Sequence, residues 1–313
     1  MFIHPTPEWQ QTGAKLVDQL TARFGRQGLA PDRFGLVVAV PGAGGRAEGF
    51  AYRGDWRCYP CSLVKTFHLI HALSRLEEGG IAPHAEIDRA LRDMILWSSN
   101  TATNYVIDLI TGTTGDTLLE GAALSEWMAR RARLNGFFEA LGWPEFAGCN
   151  ITQKLMDDRR YGREAQYAGP EGQNLNALTP LAAARLMWEL FEGAPPLGPA
   201  MRQRACDTLH RDRDAAEARD PHFQVASFLG AGLPPDTRIW SKAGLNLWTG
   251  DPCASFFRHD MLRYLVRGNL PVTLVLMTAG RELSESFPDA FPAMAATIHE
   301  AITPLLRPSS TQT

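Results

Sequence analysis

Cys61-Ser62-Leu63-Val64-Lys65-Thr66-Phe67-His68-Leu69-Ile70 is the stretch on which the reading of this sequence turns. Leu63, Phe67, Ile70 and Leu73 recur at helical spacing and Gly79-Gly80 stops the run, which predicts a helix from Ser62 to Leu76. Residues three apart lie about one turn apart on a helix, so Ser62 and Lys65 share a face. A serine hydroxyl is too weakly acidic to attack a carbonyl unaided. A lysine desolvated by its surroundings loses basicity until it can accept that proton. The unpaired N–H groups at a helix N-terminus, that of Ser62 included, point where an oxyanion would form. The plainer alternative is an N-cap serine followed by a snorkelling lysine.

Two further clusters weigh against the plainer alternative. Ser98-Ser99-Asn100 falls between predicted helices over Glu86–Trp97 and Thr101–Ile110, a corner able to aim a hydroxyl and an amide into a cleft. Ser241-Lys242-Ala243-Gly244 ends a predicted strand, with a glycine that permits close backbone approach. Lysine is scarce: only Lys15, Lys65, Lys154 and Lys242 occur among 31 basic residues, and two of these four fall in the clusters.

Outward from these motifs, 313 residues with 45% hydrophobic and 21% charged side chains have the composition of an ordinary globular chain. A net charge of −3 offers no broad basic face for nucleic acid or an anionic membrane, so neither is expected as a partner. The first 30 residues lack a basic-then-apolar leader pattern, which gives a cytoplasmic expectation, and five cysteines suit reduced thiols. A helix over Gly13–Phe24 and a β-hairpin from Phe34–Val40 and Gly49–Gly54 begin the chain. Strands over Thr237–Ser241, Ala254–Phe257, Met261–Val266 and Val272–Met277 and a helix over Phe291–Leu306 end it. Between them the pattern is helical over Leu118–Leu141 and Leu181–Phe191. A long polar loop, Gly142 to Leu178, holds Asp157-Asp158-Arg159-Arg160-Tyr161-Gly162. The expected organisation is an α/β domain from residues 1–60 and 221–313, an all-α domain over 61–220, and an active site in the cleft between them.

Taken in order, Ser62-x-x-Lys65, Ser98-Ser99-Asn100 and Lys242-Ala243-Gly244 resemble the motif trio of the serine β-lactamase and penicillin-binding protein superfamily, most closely the class A β-lactamases. The resemblance covers nearly the whole chain. It implies a β-lactamase/transpeptidase-like fold, α/β plus all-α, with an antiparallel five-stranded sheet flanked by terminal helices and an inserted helical domain. It further implies that Ser62 is acylated, that Lys65 is the base, and that Ser98 with Lys242 passes a proton to the leaving group. Asn100, Ala243, Gly244, Leu245 and Asn246 would bind substrate, with the N–H groups of Ser62 and Leu245 as the oxyanion hole. The implied substrate is a small amide, ester or β-lactam; no cofactor or metal is implied.

This sequence departs from the family pattern in three places. Ser99 stands where the family has an aspartate, and Ala243 where it has a hydroxyl that helps grip a substrate carboxylate. The deacylation glutamate, which the family carries in E-x-x-L-N, has two rivals: Glu171 of Glu171-Gly172-Gln173-Asn174-Leu175-Asn176, one residue too long, and Glu164. Without a poised base the acyl-enzyme would turn over slowly.

Other readings compete. Cys58-Tyr59-Pro60-Cys61 is a C-x-x-C before a helix, as a thiol-disulfide oxidoreductase requires, although no strand-helix-strand unit surrounds it. A non-catalytic β-lactam- or peptide-binding homologue would retain the pocket alone, yet has no need of two poorly solvated lysines. Cys149, Cys206 and Cys253 are too isolated for zinc, and His68 and His71 fit a helix interior.

Overall fold

The run Phe34–Val40 is apolar without alternation because its strand lies inside a sheet covered on both faces. The computed structural model describes residues 2–156, 160–266 and 270–306. In chain order the elements are β1 (Ile3–His4), α1 (Pro7–Phe24), β2 (Phe34–Pro41), β3 (Ala47–Tyr52), α2 (Val64–Glu77), α3 (Ala85–Leu96), α4 (Asn100–Thr111) and α5 (Gly121–Glu139). They continue with α6 (Gly162–Ala168), α7 (Pro180–Phe191), α8 (Pro199–Leu209), β4 (His210–Arg211), β5 (Arg238–Asn246), β6 (Phe257–Val266), β7 (Leu270–Ala279) and α9 (Ala290–Ile302).

Among the described residues the sheet has seven strands in the order β1-β3-β2-β7-β6-β5-β4, not the five expected. The five long strands are antiparallel, whereas β1 pairs parallel to β3. The additions are the two edge strands, β1 and β4. Each is two residues long, too short to carry a periodic signal.

Because side chains alternate along a strand, each strand serves two cores. Leu36, Val38, Leu262, Leu274 and Leu276 pack with the buried stripe of α1 (Leu16, Leu20, Phe24) and with Phe291, Met294 and Ile298 of α9. Val37, Ala39, Met261 and Val275 face the other way, onto α2, α7 and the rest of the inserted helices. Thr179 caps α7 by accepting from Ala182 N at 3.1 Å, with Pro180 in the first turn, as the Thr-Pro pair predicts.

Strand β6 differs from expectation. Pro252–Ala254 form a 3-10 turn in place of the start of the expected strand, and one strand then runs unbroken from Phe257 to Val266. Arg258, His259 and Asp260 mask that continuity in the sequence, since three polar residues in a row read as a break. Each is buried with polar atoms engaged: Arg258 with the carbonyls of Leu283 and Ser227, His259 with Tyr59 O and Thr278 N, Asp260 with Leu229 N. The expected loop between Gly142 and Leu178 contains α6, and α8 is a helix that sequence periodicity does not reveal, burying only Ala205 and Leu209. The chain rejoins the sheet at β4, ahead of the boundary expected at residue 221. Asp157, Asp158 and Arg159 of the polar stretch lie outside the described residues.

Phe291 is fully buried, set edge-on against Phe228 with ring centroids 6.3 Å apart, and carries the Arg258 guanidinium 5.0 Å from its centroid. Phe291→Ala is expected to cost about 3–5 kcal/mol in urea unfolding.

Candidate active site

Ser62 sits in a 3-10 turn, Cys61–Leu63, that leads into α2. Cys61 holds φ +50°, a conformation that costs an L-residue energy, and this turns Ser62 toward the corner between α3 and α4. At that corner Ser98 is left-handed too, with φ +55°. The three residues there divide the work. Ser98 aims its hydroxyl at Ser62, Ser99 caps α4 by accepting from Ala102 N at 3.1 Å, and Asn100 Oδ1 accepts from Lys65 Nζ at 2.8 Å.

The Ser98 hydroxyl is the junction of the site. Its Oγ lies 2.9 Å from Ser62 Oγ, 3.0 Å from Lys242 Nζ and 3.3 Å from Lys65 Nζ. Sequence spacing pairs Ser62 with Lys65; in the fold the Ser98 hydroxyl hydrogen-bonds both. Both lysines are fully buried. Lys242 Nζ also donates to Gln224 Oε1 and to Ala243 O, and Lys65 Nζ to Ser98 O. Carbonyl oxygens can only accept, so two N–H groups of Lys242 are committed and its third position faces Ser98. Burial, with the Lys65 and Arg211 charges adding to it, pushes Lys242 well below the usual ammonium range. Lys242 Nζ donates to Ser98 Oγ, and Ser98 Oγ donates in turn to Ser62 Oγ.

Strand β5 supplies the opposite wall. Lys242, Gly244 and Asn246 face the site at period two, while Ala243 and Leu245 pack into the core beneath the terminal helices. Gly244 lies against the Cys61–Leu63 turn so closely that a Cβ would come within 2.7 Å of Ser62 N and of Cys61 Cβ. Asn246 Nδ2 donates to Ala254 O at 3.0 Å and borders a cavity of about 490 Å³. Tyr59, Gln153, Arg160, Glu171 and Asp251 also line it; Ser62 does not.

The two candidate glutamates part company. Glu164 is buried in a bidentate pair with Arg131, at 2.6 and 3.0 Å, and that guanidinium stacks 4.5 Å from the Trp127 ring centroid. Glu171 is exposed on the cavity wall. The sequence leaves Gln224 unmarked, yet this residue, left-handed at φ +59°, is a member of the junction; it lies in an irregular segment with no motif to signal it.

The remaining candidates are core residues. Burial raises the Cys58 and Cys61 thiols above the ordinary range, and both are free. Burial likewise pushes His68 down to about 3 and His71 down to about 4, and His71 stacks on Phe137 at 4.1 Å. Among the described residues no group of three His, Cys, Asp or Glu side chains converges as a metal site, and no helix is long and apolar enough to cross a membrane.

Breaking a buried ion pair leaves an uncompensated charge. Glu164→Gln is therefore expected to lower stability by on the order of 3 kcal/mol, read as a fall in urea midpoint, while Glu171→Gln leaves that midpoint near wild type.

No family model matches the sequence, and no curated protein matches it. Solved structures do. The last common ancestor of Gram-negative bacteria class A β-lactamase aligns at 20% identity over 92% of this chain and 99% of that one, with a TM-score of 0.60. A variant of the same ancestral enzyme aligns at 23% identity over 93% and 99%, with a TM-score of 0.64. A structure described as PBP-A aligns at 17% over 96% and 98%, with a TM-score of 0.61. Coverage of both chains from end to end, at this identity, makes the common property the fold: this chain is folded as the class A β-lactamases are.

Proposed function

We propose that the chain is a serine hydrolase of β-lactamase-like type that forms an acyl-enzyme at Ser62 with a small amide, ester or β-lactam. The observation that carries this reading is the Ser98 hydroxyl, within hydrogen-bond reach of the Ser62 oxygen and of two buried amines. A pocket that only binds has no use for two lysines taken out of water, since each burial is costly.

In the proposed reaction Ser62 Oγ attacks the carbonyl carbon and its proton passes to Ser98, whose own proton goes to a neutral amine. The oxyanion meets the N–H groups of Ser62, which lies against Gly244, and of Leu245, the residue that follows it. The scissile C–N or C–O bond breaks as the same relay, run backwards, protonates the leaving group. Water then cleaves the ester at Ser62. Of the two candidate glutamates Glu164 is committed to Arg131 and Glu171 is exposed, and the proposal gives Glu171 the activation of that water. With Ser99 committed to a helix cap and the Ala243 methyl turned into the core, a substrate carboxylate has no side-chain hydroxyl from either position, which favours substrates held by their carbonyl.

The thiol-disulfide alternative needs an accessible thiolate. Both thiols are buried and raised, so the geometry favours the serine.

A fluorophosphonate or penicillin probe followed by intact mass tests the proposal. Wild type is expected to gain one adduct at Ser62 and Ser62→Ala none. Lys242→Ala and Lys65→Ala are each expected to slow labelling about 100-fold or more. Because the relay needs an unprotonated amine, the labelling rate is expected to fall as pH drops and Lys242 gains a proton, along a limb below the ordinary lysine range. Glu171→Gln is expected to prolong the adduct of a penicillin. Undiminished labelling of Ser62→Ala would remove the reading.

A further inference from the structure

We propose that Arg211 is the positioning residue of the serine-lysine junction, holding Ser98, Lys242 and Gln224 in register through their chain neighbours. The proposal rests on the Ser62 reading for its catalytic meaning. Arg211 belongs to the two-residue edge strand β4 and is buried, yet among the described residues it pairs with no carboxylate. Its guanidinium goes to backbone carbonyls instead. Nε and Nη2 each donate to Ser241 O at 3.3 Å, Nη1 to Leu96 O at 3.2 Å, and Nη2 to Ile95 O at 2.7 Å. Its plane also lies 5.1 Å from the ring centroid of Phe223, which meets Trp97 edge-on at 6.5 Å.

Each contact is one to three residues from a member of the junction. Ser241 precedes Lys242 on β5. Ile95 and Leu96 end α3, where carbonyls lack helical partners, just ahead of Trp97 and Ser98. Phe223 precedes Gln224, whose Oε1 accepts from Lys242 Nζ. Three chain segments distant in sequence therefore converge on one planar fork. Only arginine presents several donors in fixed directions at once; a lysine at 211 would bring the charge without the span.

The same guanidinium is a fixed positive charge close to Lys242. The titratable and charged groups facing Lys242 are Lys65 from α2, Cys61 from the turn before it, Asp260 from β6 and Arg211 from β4. Of these Lys65 and Arg211 lower its pKa and Asp260 and Cys61 raise it, so removing the guanidinium shifts the balance toward the protonated amine.

Position and charge separate experimentally in Arg211→Lys and Arg211→Met. With four lysines in the chain, a 13C-lysine spectrum is simple enough to follow Lys242, assigned through Lys242→Arg. In Arg211→Met the Lys242 titration is expected to move to higher pH, and Ser62 labelling by a fluorophosphonate to slow about tenfold or more with its acid limb displaced the same way. In Arg211→Lys the titration is expected to stay near wild type while labelling slows comparably. A merely structural role would slow labelling without moving the titration. An Arg211→Met protein with wild-type titration and wild-type labelling would overturn the proposal. If wild type takes no label, the Ser62 reading fails and the Lys242 titration decides the placement of Arg211 alone; if Arg211→Met does not fold, wild-type labelling by Arg211→Lys overturns it.

Discussion

Two amines that share one hydroxyl are the constraint to which the rest of the site answers. Lys65 and Lys242 reach Ser98 Oγ from opposite walls, and neither is exposed. Two ammonium ions this close in a poorly solvated cleft repel, and each has already lost the hydration that made its charge inexpensive. Ser98 has one proton and can accept from two donors. It accepts from both amines and spends its own proton on Ser62 Oγ, so every partner is matched. The electrostatic cost of the lysine pair is thus concentrated at one hydroxyl.

The backbone contributes strain at the same place. Among the described residues five non-glycines take positive φ, and Cys61, Ser98 and Gln224 are three of them. One precedes Ser62, one carries the junction hydroxyl and one binds Lys242. Such conformations persist only where the surroundings over-determine them. Here the surroundings are the α3–α4 corner, with its Ser99 cap, and a central sheet buried on both faces. β5 is held along its length by β6, so the register that brings Gly244 against Ser62 also fixes Lys242 two residues earlier.

Features with a period are legible in the sequence, and features made by convergence are not. The stripe of α2, the apolar run of β2 and the Thr179-Pro180 start of α7 each announce themselves within ten or so residues. Ser62, Ser98 and Lys242 stand out through residue type and order, helped by how few lysines the chain has. Gln224 and Arg211 carry no local mark, because what distinguishes them is which carbonyl or amine lies across the cleft. The edge strands β1 and β4 lack the length for alternation. Arg258-His259-Asp260 divides β6 in the sequence pattern, since the partners that permit burial of those three come from residues 19 to 200 positions away.

Buried arginine and buried lysine meet different partners in this fold. Arg131 neutralises Glu164 beside Trp127, Arg258 spans two carbonyls between aromatic rings, and Arg211 gathers the junction; all three are buried. Arginine suits such posts because its charge is delocalised and its proton is not readily lost, even where burial brings Arg211 and Arg258 down to about 10. A lysine in the same setting surrenders its proton much sooner. Lys15 is exposed and Lys154 is paired with Asp108 at 2.7 Å; the other two of the four meet at Ser98. The scarcity of lysine in this sequence thus has its physical counterpart at one hydroxyl, which takes two of the four.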